Sequence, residues 1–184
     1  VRDVLTLPES RMGVLAAGGG SEVGRTTVAA ILKAVGEADA VEDAIARLVA
    51  QHGAHACEVT ELGGSLYARA AAAVAEGRIT EALAPLSALA GTPGHRAEAL
   101  LGLAVCATRL ACYEDAKILA EASRGLGPGH PRASCVAGLC ELELGNRRAA
   151  QEHLATAARL ARRDAAYGED LRVAQRALLL MHLA

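Results

Sequence analysis

The chain is almost without aromatic side chains. Its 184 residues include no Phe and no Trp, and three Tyr bring the aromatic share to 2%. Yet 52% of the residues are hydrophobic, so the core must consist mainly of Ala, Leu and Val. Ala and Leu favour helices, whereas sheets are usually enriched in aromatic and β-branched residues. The composition therefore predicts an all-α fold.

The chain also has no strong net charge and no long apolar run. Its formal charge is −2 and its basic residues are spread along the sequence, unlike the clustered patches of nucleic-acid-binding proteins. No apolar run reaches the roughly 18 to 20 residues that span a bilayer. Acidic residues precede the short apolar run near the N-terminus, which is untypical of a secretory signal. We expect a cytoplasmic protein without a nucleic-acid partner or membrane insertion.

The cysteines do not form a recognisable framework. Their number, five, is odd, and no two have the CxxC spacing of a redox or zinc site. We predict reduced thiols that act as small core residues. They are Cys57, Cys106, Cys112, Cys135 and Cys140.

A repeat of 34 residues runs through the chain from about Leu66 to Arg162. Ala82, Ala116 and Ala150 occupy one column of it; Leu86, Ala120 and Leu154 occupy a second, and Gly77, Ala111 and Gly145 a third. A fixed period of this length is typical of stacked helical hairpins, because the apolar face of each hairpin is buried only by its neighbour.

Helical spacing and turn residues divide the chain into a flexible leader (1–20), an N-terminal helical arm (21–60) and a repeat domain (61–184). In the arm we predict two helices, Glu22–Val35 and Val41–His52, the second ending at Gly53. In the repeat domain we predict three hairpins and a capping helix, with a kink or a late helix start at Pro85. These helices are Leu66–Glu76, Ile79–Leu89, Arg96–Leu110, Tyr113–Gly125, Pro131–Leu144, Arg147–Arg162 and Asp164–His182.

The repeats resemble the tetratricopeptide repeat. In the second repeat, Leu103 and Ala104 stand at the family's Leu-Gly position, Tyr113 at its tyrosine, Ala116 at its inter-helix alanine and Pro128 at its closing proline. The third repeat matches through Gly138, Gly145, Ala150 and Ala157. The large aromatics of the family are mostly absent, since these positions hold Leu100, Ala120, Ser134 and Leu154.

Taken together, the repeats and their flanks resemble the class II chaperones of bacterial type III secretion translocators. The resemblance rests on the Leu66-Tyr67 opening, the Leu101–Cys106 run, the Pro131-Arg132 entry, and the order of N-terminal helices, repeats and cap. It implies a virulence-associated cytoplasmic chaperone, not an enzyme, that holds a hydrophobic translocator subunit before export. It also implies a homodimer formed through the N-terminal region.

The resemblance further implies that an extended translocator segment lies in a concave groove formed by the first helix of each hairpin. Residues at groove-facing spacing are mostly apolar, while Glu98 and Arg132 near the groove ends are expected to anchor backbone or charge. We expect Val105 to have solvent on one side, so that Val105→Glu weakens binding more than stability. The full predicted set is Tyr67, Ala71, Val74, Glu98, Leu101, Val105, Thr108, Arg132, Cys135, Leu139 and Leu142.

Two short motifs suggest other chemistry. Gly19–Thr26 has the spacing of a phosphate-binding loop, with Arg25 at the lysine position, but such a site needs a strand and a parallel sheet. His52, His55 and Cys57 could offer three metal ligands, but no fourth ligand is evident nearby. We favour a glycine hinge and a surface loop respectively, and predict no cofactor and no metal.

An alternative of a different class remains open. Helical repeats also serve as general scaffolds that join folded proteins, and nothing in the repeat columns themselves is specific to secretion.

Overall fold

The structure, a computed structural model, describes residues 28–52, 63–92, 94–127 and 130–183. These ranges contain helices and turns but no strand, which confirms the all-α fold. The helices are α1 (Val28–His52), α2 (Gly63–Ala75), α3 (Ile79–Ala90), α4 (Arg96–Arg109), α5 (Tyr113–Leu126), α6 (Pro131–Glu143), α7 (Arg147–Ala161) and α8 (Gly168–Leu183); a short 3-10 turn, Ala165–Tyr167, precedes α8.

The three hairpins are α2–α3, α4–α5 and α6–α7, and each turns at the predicted column. Gly77 and Gly145 have φ angles of 80° and 81°, in the left-handed region that glycine enters freely. Ala111, in the same column, has a φ of 60°. The tight reversal therefore imposes the same backbone conformation at all three turns, whichever residue occupies it.

The N-terminal arm differs from the prediction of two helices. The described part is a single continuous helix, α1, which passes through Gly36 and ends at His52. One glycine costs only about 1 kcal/mol relative to alanine, and good helix formers such as Glu37, Ala38 and Ala40 follow it. A single glycine at this position is therefore not enough to end the helix. Residues 22–27 and Gly53 lie outside the described part.

The expectation of a late helix start at Pro85 is also wrong. Helix α3 begins at Ile79 and continues through Pro85, which is buried. A mid-helix proline costs about 3 kcal/mol, but this helix buries Leu83, Leu86 and Leu89 almost completely. Each buried leucine contributes roughly 1.5 to 3 kcal/mol, which outweighs the cost of the proline.

Small residues let the hairpins pack closely. The column alanines Ala82, Ala116 and Ala150 are completely buried. At Gly102, an added Cβ would lie only 2.8 Å from a methyl of Leu86, and at Gly138 it would lie 2.7 Å from Cγ of Leu154. Leu86 therefore packs against Gly102 of the following helix, and Leu154 against Gly138 of the preceding helix. Helices this close leave little space for aromatic side chains, which the chain almost lacks.

Helix α1 packs across α3 and α5, the second helices of the first two hairpins. Val41, Ala44, Ile45 and Leu48 are buried in the same core as the repeats. At the edge of this contact, the Arg47 guanidinium pairs with Asp115 at 2.6 Å. The predicted boundary between an arm and a repeat domain stays a prediction, but the two share one hydrophobic core.

Helix α8 packs on α7 and α6 at the other end of the stack. Ala174 is completely buried there, in a second apolar cluster with Leu154 and Ala157. None of the helices in the described ranges combines the length and the apolar character that crossing a bilayer demands.

Candidate functional site

All eleven residues predicted for peptide binding lie on α2, α4 and α6, which we call the inner helices. Helix α2 contacts α4, and α4 contacts α6. The outer helices α3, α5 and α7 bridge consecutive inner helices and make few direct contacts with one another in the described residues. The inner helices thus form a layer of their own, on the opposite side of the stack from α1.

The predicted residues differ widely in exposure. Glu98 is exposed, and five residues are half-buried: Tyr67, Ala71, Thr108, Leu139 and Leu142. The other five are buried: Val74, Leu101, Val105, Arg132 and Cys135.

The expectation that Val105 has solvent on one side is therefore wrong, since none of it is exposed. Alanine and glycine let the inner helices approach so closely that the central α4 positions become core. Helical spacing grouped Val105 with the other predicted residues of α4, but it could not show how near the neighbouring helices lie.

Tyr67, on α2, is influenced by charges on both of the other inner helices. It packs against the core from α2 and is half-buried. Burial is the main cause that raises the pKa of its hydroxyl; the Glu98 carboxylate on α4 adds to this, and Arg132 on α6 opposes it. The Tyr67 side chain is therefore within electrostatic reach of both charged residues that sequence spacing placed near the groove ends.

Arg132 is held by the capping helix rather than left open. Its Nε donates to Asp170 Oδ1 at 3.0 Å and its Nη2 to Asp170 Oδ2 at 3.3 Å. Only 7% of the Arg132 side chain and 3% of the Asp170 side chain are exposed. This bidentate geometry is the strong form of the arginine–carboxylate pair, so Arg132 ties α6 to α8.

His130 completes this polar region. Its Nδ1 accepts a hydrogen bond from the Arg132 backbone N–H at 3.2 Å, and its ring meets Tyr167 edge-on at 5.1 Å between centroids. His130 is exposed as a residue, but partial burial of its ring lowers the pKa of His130, and Arg132 lowers it further, while Asp170 and Glu98 act in the opposite direction. Lowering the pKa favours the neutral imidazole.

Sequence reasoning missed His130, Tyr167 and Asp170. Asp170 did leave a signal, because it lies one helical turn before Ala174 on the buried side of α8. An acid on an apolar helix face usually has a buried partner. Helical periodicity alone could not identify that partner as Arg132.

The third-hairpin residues of the predicted set contact the cap. Cys135 is 3% exposed and belongs to the cluster that α8 forms with α7. Leu139 and Leu142 pack against the same cluster and stay half-buried. Helix α8 therefore covers part of the apolar surface that the repeat spacing assigned to a groove.

At the far end of the inner helices the contacts are polar. Thr108 Oγ1 donates to the Ala104 carbonyl at 2.8 Å and lies 3.5 Å from Cys140 Sγ. Arg109 Nη1 donates to the Val74 carbonyl at 2.7 Å, which links α4 to the last turn of α2. Thr108 and Arg109 thus hold the inner helices together at this end.

The described cysteines are free thiols, as predicted. Burial raises the pKa of Cys106 and of Cys135 to about 12, and that of Cys140 to about 11. Because the thiolate is the reactive form, these three side chains behave as inert core residues. Cys57 lies outside the described part, together with His55 and the Gly19–Thr26 loop.

One group in the described chain has the composition of a metal site. Glu121, Glu141 and His153, from α5, α6 and α7, bring one ligand atom each within 4.8 Å of one another. However, Lys117 Nζ lies 3.8 Å from Glu141 Oε1, and Asn146 Nδ2 donates to Oε2 at 2.6 Å. We interpret the group as an ionic network that joins the three helices.

Known structures with this fold were found by structural comparison. PcrH from Pseudomonas aeruginosa superposes with a TM-score of 0.62 at 24% identity, over 69% of this chain and 96% of PcrH. PcrH in complex with the chaperone binding region of PopD gives 0.60 at 25% identity, over 65% of this chain and 90% of that one. A type III secretion complex from Aeromonas hydrophila gives 0.62 at 23% identity, over 67% and 83%.

This chain has the fold of PcrH. The predicted resemblance to class II translocator chaperones is thereby confirmed. No family model matches the sequence, and no curated protein matches it at a significant level.

Proposed function

We propose that this protein is a chaperone that binds an extended segment of a type III secretion translocator on its inner helices. The observation that carries the proposal is the shared fold with PcrH, which has been solved with the chaperone binding regions of PopD and PopB. Those similarities extend over 90% and 98% of the PcrH chains, so they include nearly all of each PcrH chain solved with its partner segment.

The packing of the helices supports a concave binding face. The inner helices contact one another directly, whereas the outer helices largely do not. In a curved stack the layer with the closer spacing lies on the inside of the curve, and helical repeat proteins use this side for binding. The client segment would therefore lie across α2, α4 and α6.

The accessible residues of this face suit a shallow, mostly apolar contact. Tyr67, Ala71, Leu139 and Leu142 are half-buried and would lose their remaining water-exposed area under a peptide. Burying apolar area contributes about 25 cal/mol per Å². The backbone of the segment would add hydrogen bonds, so the site favours an extended chain with small apolar side chains.

In this role the protein acts without catalysis, in the cytoplasm before export. Holding the translocator segment would keep its apolar surface from aggregating, which requires affinity but no reaction. A homodimer formed through the N-terminal region belongs to the same proposal.

The proposal is tested by binding and co-expression. The purified chain is titrated with the PopD and PopB chaperone binding regions, and it is co-expressed with translocators encoded beside its own gene. We expect a complex and a larger soluble fraction of the translocator. If no complex forms with any of them and translocator solubility is unchanged, the secretion role fails and a general scaffold replaces it.

A matched pair of variants tests the face. Ala71→Arg places a long charged side chain on a half-buried position of α2, whereas Ala155→Arg places it on an exposed position of α7. We expect Ala71→Arg to weaken client binding by about tenfold or more, because a charge under an apolar contact must be desolvated. Ala155→Arg should leave the affinity unchanged; equal effects would show that the client binds elsewhere.

A further inference from the structure

Glu98 is the one charged residue of the predicted set that stands without a partner in the described chain. It is exposed at the start of α4. Arg96, in the same helical turn, is committed elsewhere: its guanidinium donates to the Ala90 carbonyl at 2.9 Å and pairs with Glu42 at 2.8 Å. The Glu98 carboxylate therefore forms neither an ion pair nor a hydrogen bond with any described group.

The groups around Glu98 leave its charge uncompensated. Arg132 on α6, a cation within electrostatic reach of Tyr67, is neutralised by its buried pair with Asp170. His130 is biased toward its neutral form, as described above. Glu98 itself lies in the first turn of α4, where the helix dipole stabilises a negative charge. This end of the face therefore presents an exposed carboxylate on α4, within electrostatic reach of the half-buried Tyr67 on the neighbouring helix α2.

We propose that Glu98 makes the binding face selective for client segments that place a lysine or arginine beside Tyr67. The carboxylate would pair with the cation, while the aromatic ring would contact the aliphatic stem of the basic side chain. Arg132, although it lies nearby, does not bind the client's charges, because it is already saturated. The inference rests on the proposed function and adds to it the charge of the client at one position.

The structural alternative is that Glu98 only supports its helix. A glutamate in the first turn can accept a hydrogen bond from the backbone N–H of the N-cap residue. Here the N–H of the N-cap, His95, donates to the Thr92 carbonyl instead, at 3.2 Å. Glu98 thus contributes to α4 through the helix dipole alone, which leaves its carboxylate oxygens available to a ligand.

The test is selection from a displayed library of short random peptides, read by sequencing. The wild-type protein is compared with Glu98→Gln, Glu98→Lys and a control, Glu143→Gln, which removes an exposed carboxylate near the C-terminal end of α6. We expect the wild type and the control to enrich peptides with Lys or Arg at one fixed position. Glu98→Gln should lose this preference, and Glu98→Lys should replace it with Asp or Glu.

Affinities of one selected peptide give the magnitude. We expect Glu98→Gln to bind it about three- to tenfold more weakly than the wild type at low salt, with the difference shrinking at high salt. Replacing the basic residue of the peptide by norleucine should weaken wild-type binding by a similar factor but leave Glu98→Gln binding unchanged. Thermal unfolding of the variants checks that each is folded.

The outcomes separate the two proposals. If no peptide is enriched and no translocator segment binds, the proposed function itself fails. If apolar peptides are enriched without a basic preference, or if the preference survives in Glu98→Gln, the client-binding face stands and the role of Glu98 is overturned.

Discussion

Ala111 occupies the turn position that glycine occupies in the other two hairpins. Its φ of 60° lies in the left-handed region, where Gly77 and Gly145 sit without strain. A residue with a Cβ pays roughly 1 to 2 kcal/mol for this conformation. Comparison with the two glycines of the same repeat column therefore identifies Ala111 as a mildly strained residue.

The strain at Ala111 leads to a stabilising substitution. We expect Ala111→Gly to raise the free energy of unfolding by about 0.5 to 1 kcal/mol, since relief of the strain is offset in part by the greater freedom of glycine in the unfolded chain. Urea unfolding measures this. The reverse change, Gly145→Ala, is the control and should destabilise the protein; a loss of stability in Ala111→Gly would contradict the argument.

Val105 is a core residue on a helix face that faces the proposed client. We expect Val105→Ala to lower the free energy of unfolding by roughly 1.5 to 3 kcal/mol, because it removes two buried methyl groups and leaves a cavity. Leu180→Ala, at a side chain that is 57% exposed, should change it by less than about 0.5 kcal/mol. Similar values for the two variants, measured by urea unfolding, would show that Val105 is not buried.

At the scale of the helices, the distance to the neighbouring helix determines whether a position tolerates a side chain. Gly102 and Gly138 are buried where a neighbouring leucine fills the space of a Cβ. Gly36 lies inside α1 with nothing within 4 Å of the position where its Cβ would be. Identical residues therefore have opposite structural meanings on different helices.

This contrast gives a paired prediction. Gly138→Ala should destabilise the protein by about 1 to 3 kcal/mol, because the added methyl must displace Leu154 or shift a helix. Gly36→Ala should stabilise it by roughly 0.5 to 1 kcal/mol through helix propensity alone. Chemical denaturation of both variants gives the two signs. A stabilising Gly138→Ala would mean that α6 and α7 lie farther apart than described.

At the scale of the whole molecule, one buried ion pair joins the cap to the hairpin stack. We expect Arg132→Met and Asp170→Leu each to cost about 3 to 5 kcal/mol, because each leaves a buried charge without its partner. The double variant should recover most of the loss, since an apolar pair of similar volume is often no less stable. Thermal and urea unfolding complete this double-mutant cycle.

Additive losses in that cycle would contradict a direct pair. The double variant also tests which residue selects the client. It leaves Glu98 unchanged, so the preference for basic clients should persist if the variant is folded. Loss of that preference with full stability would transfer the role from Glu98 to Arg132.

Much of the architecture follows from the repeat alone. The period of 34 residues located the three turns and, within a few residues, the ends of α2 to α7. The period could locate them because each hairpin has small residues where its helices cross and a left-handed residue at its turn. Two expectations that did not rest on the repeat were wrong: the two helices predicted in the arm form one helix over the described part, α1, and Pro85 does not delay the start of α3.

The amino-acid sequence by itself determined the helical hairpins and their number, because periodicity and turn chemistry act locally, and it predicted one face of the inner helices for binding. The tertiary structure decided which residues of that face are accessible. Close packing of small side chains buried Val105, and the capping helix covered Cys135 and captured Arg132. Glu98 was left exposed and unpaired, and no local pattern could have shown this, because it depends on contacts between residues far apart in the chain.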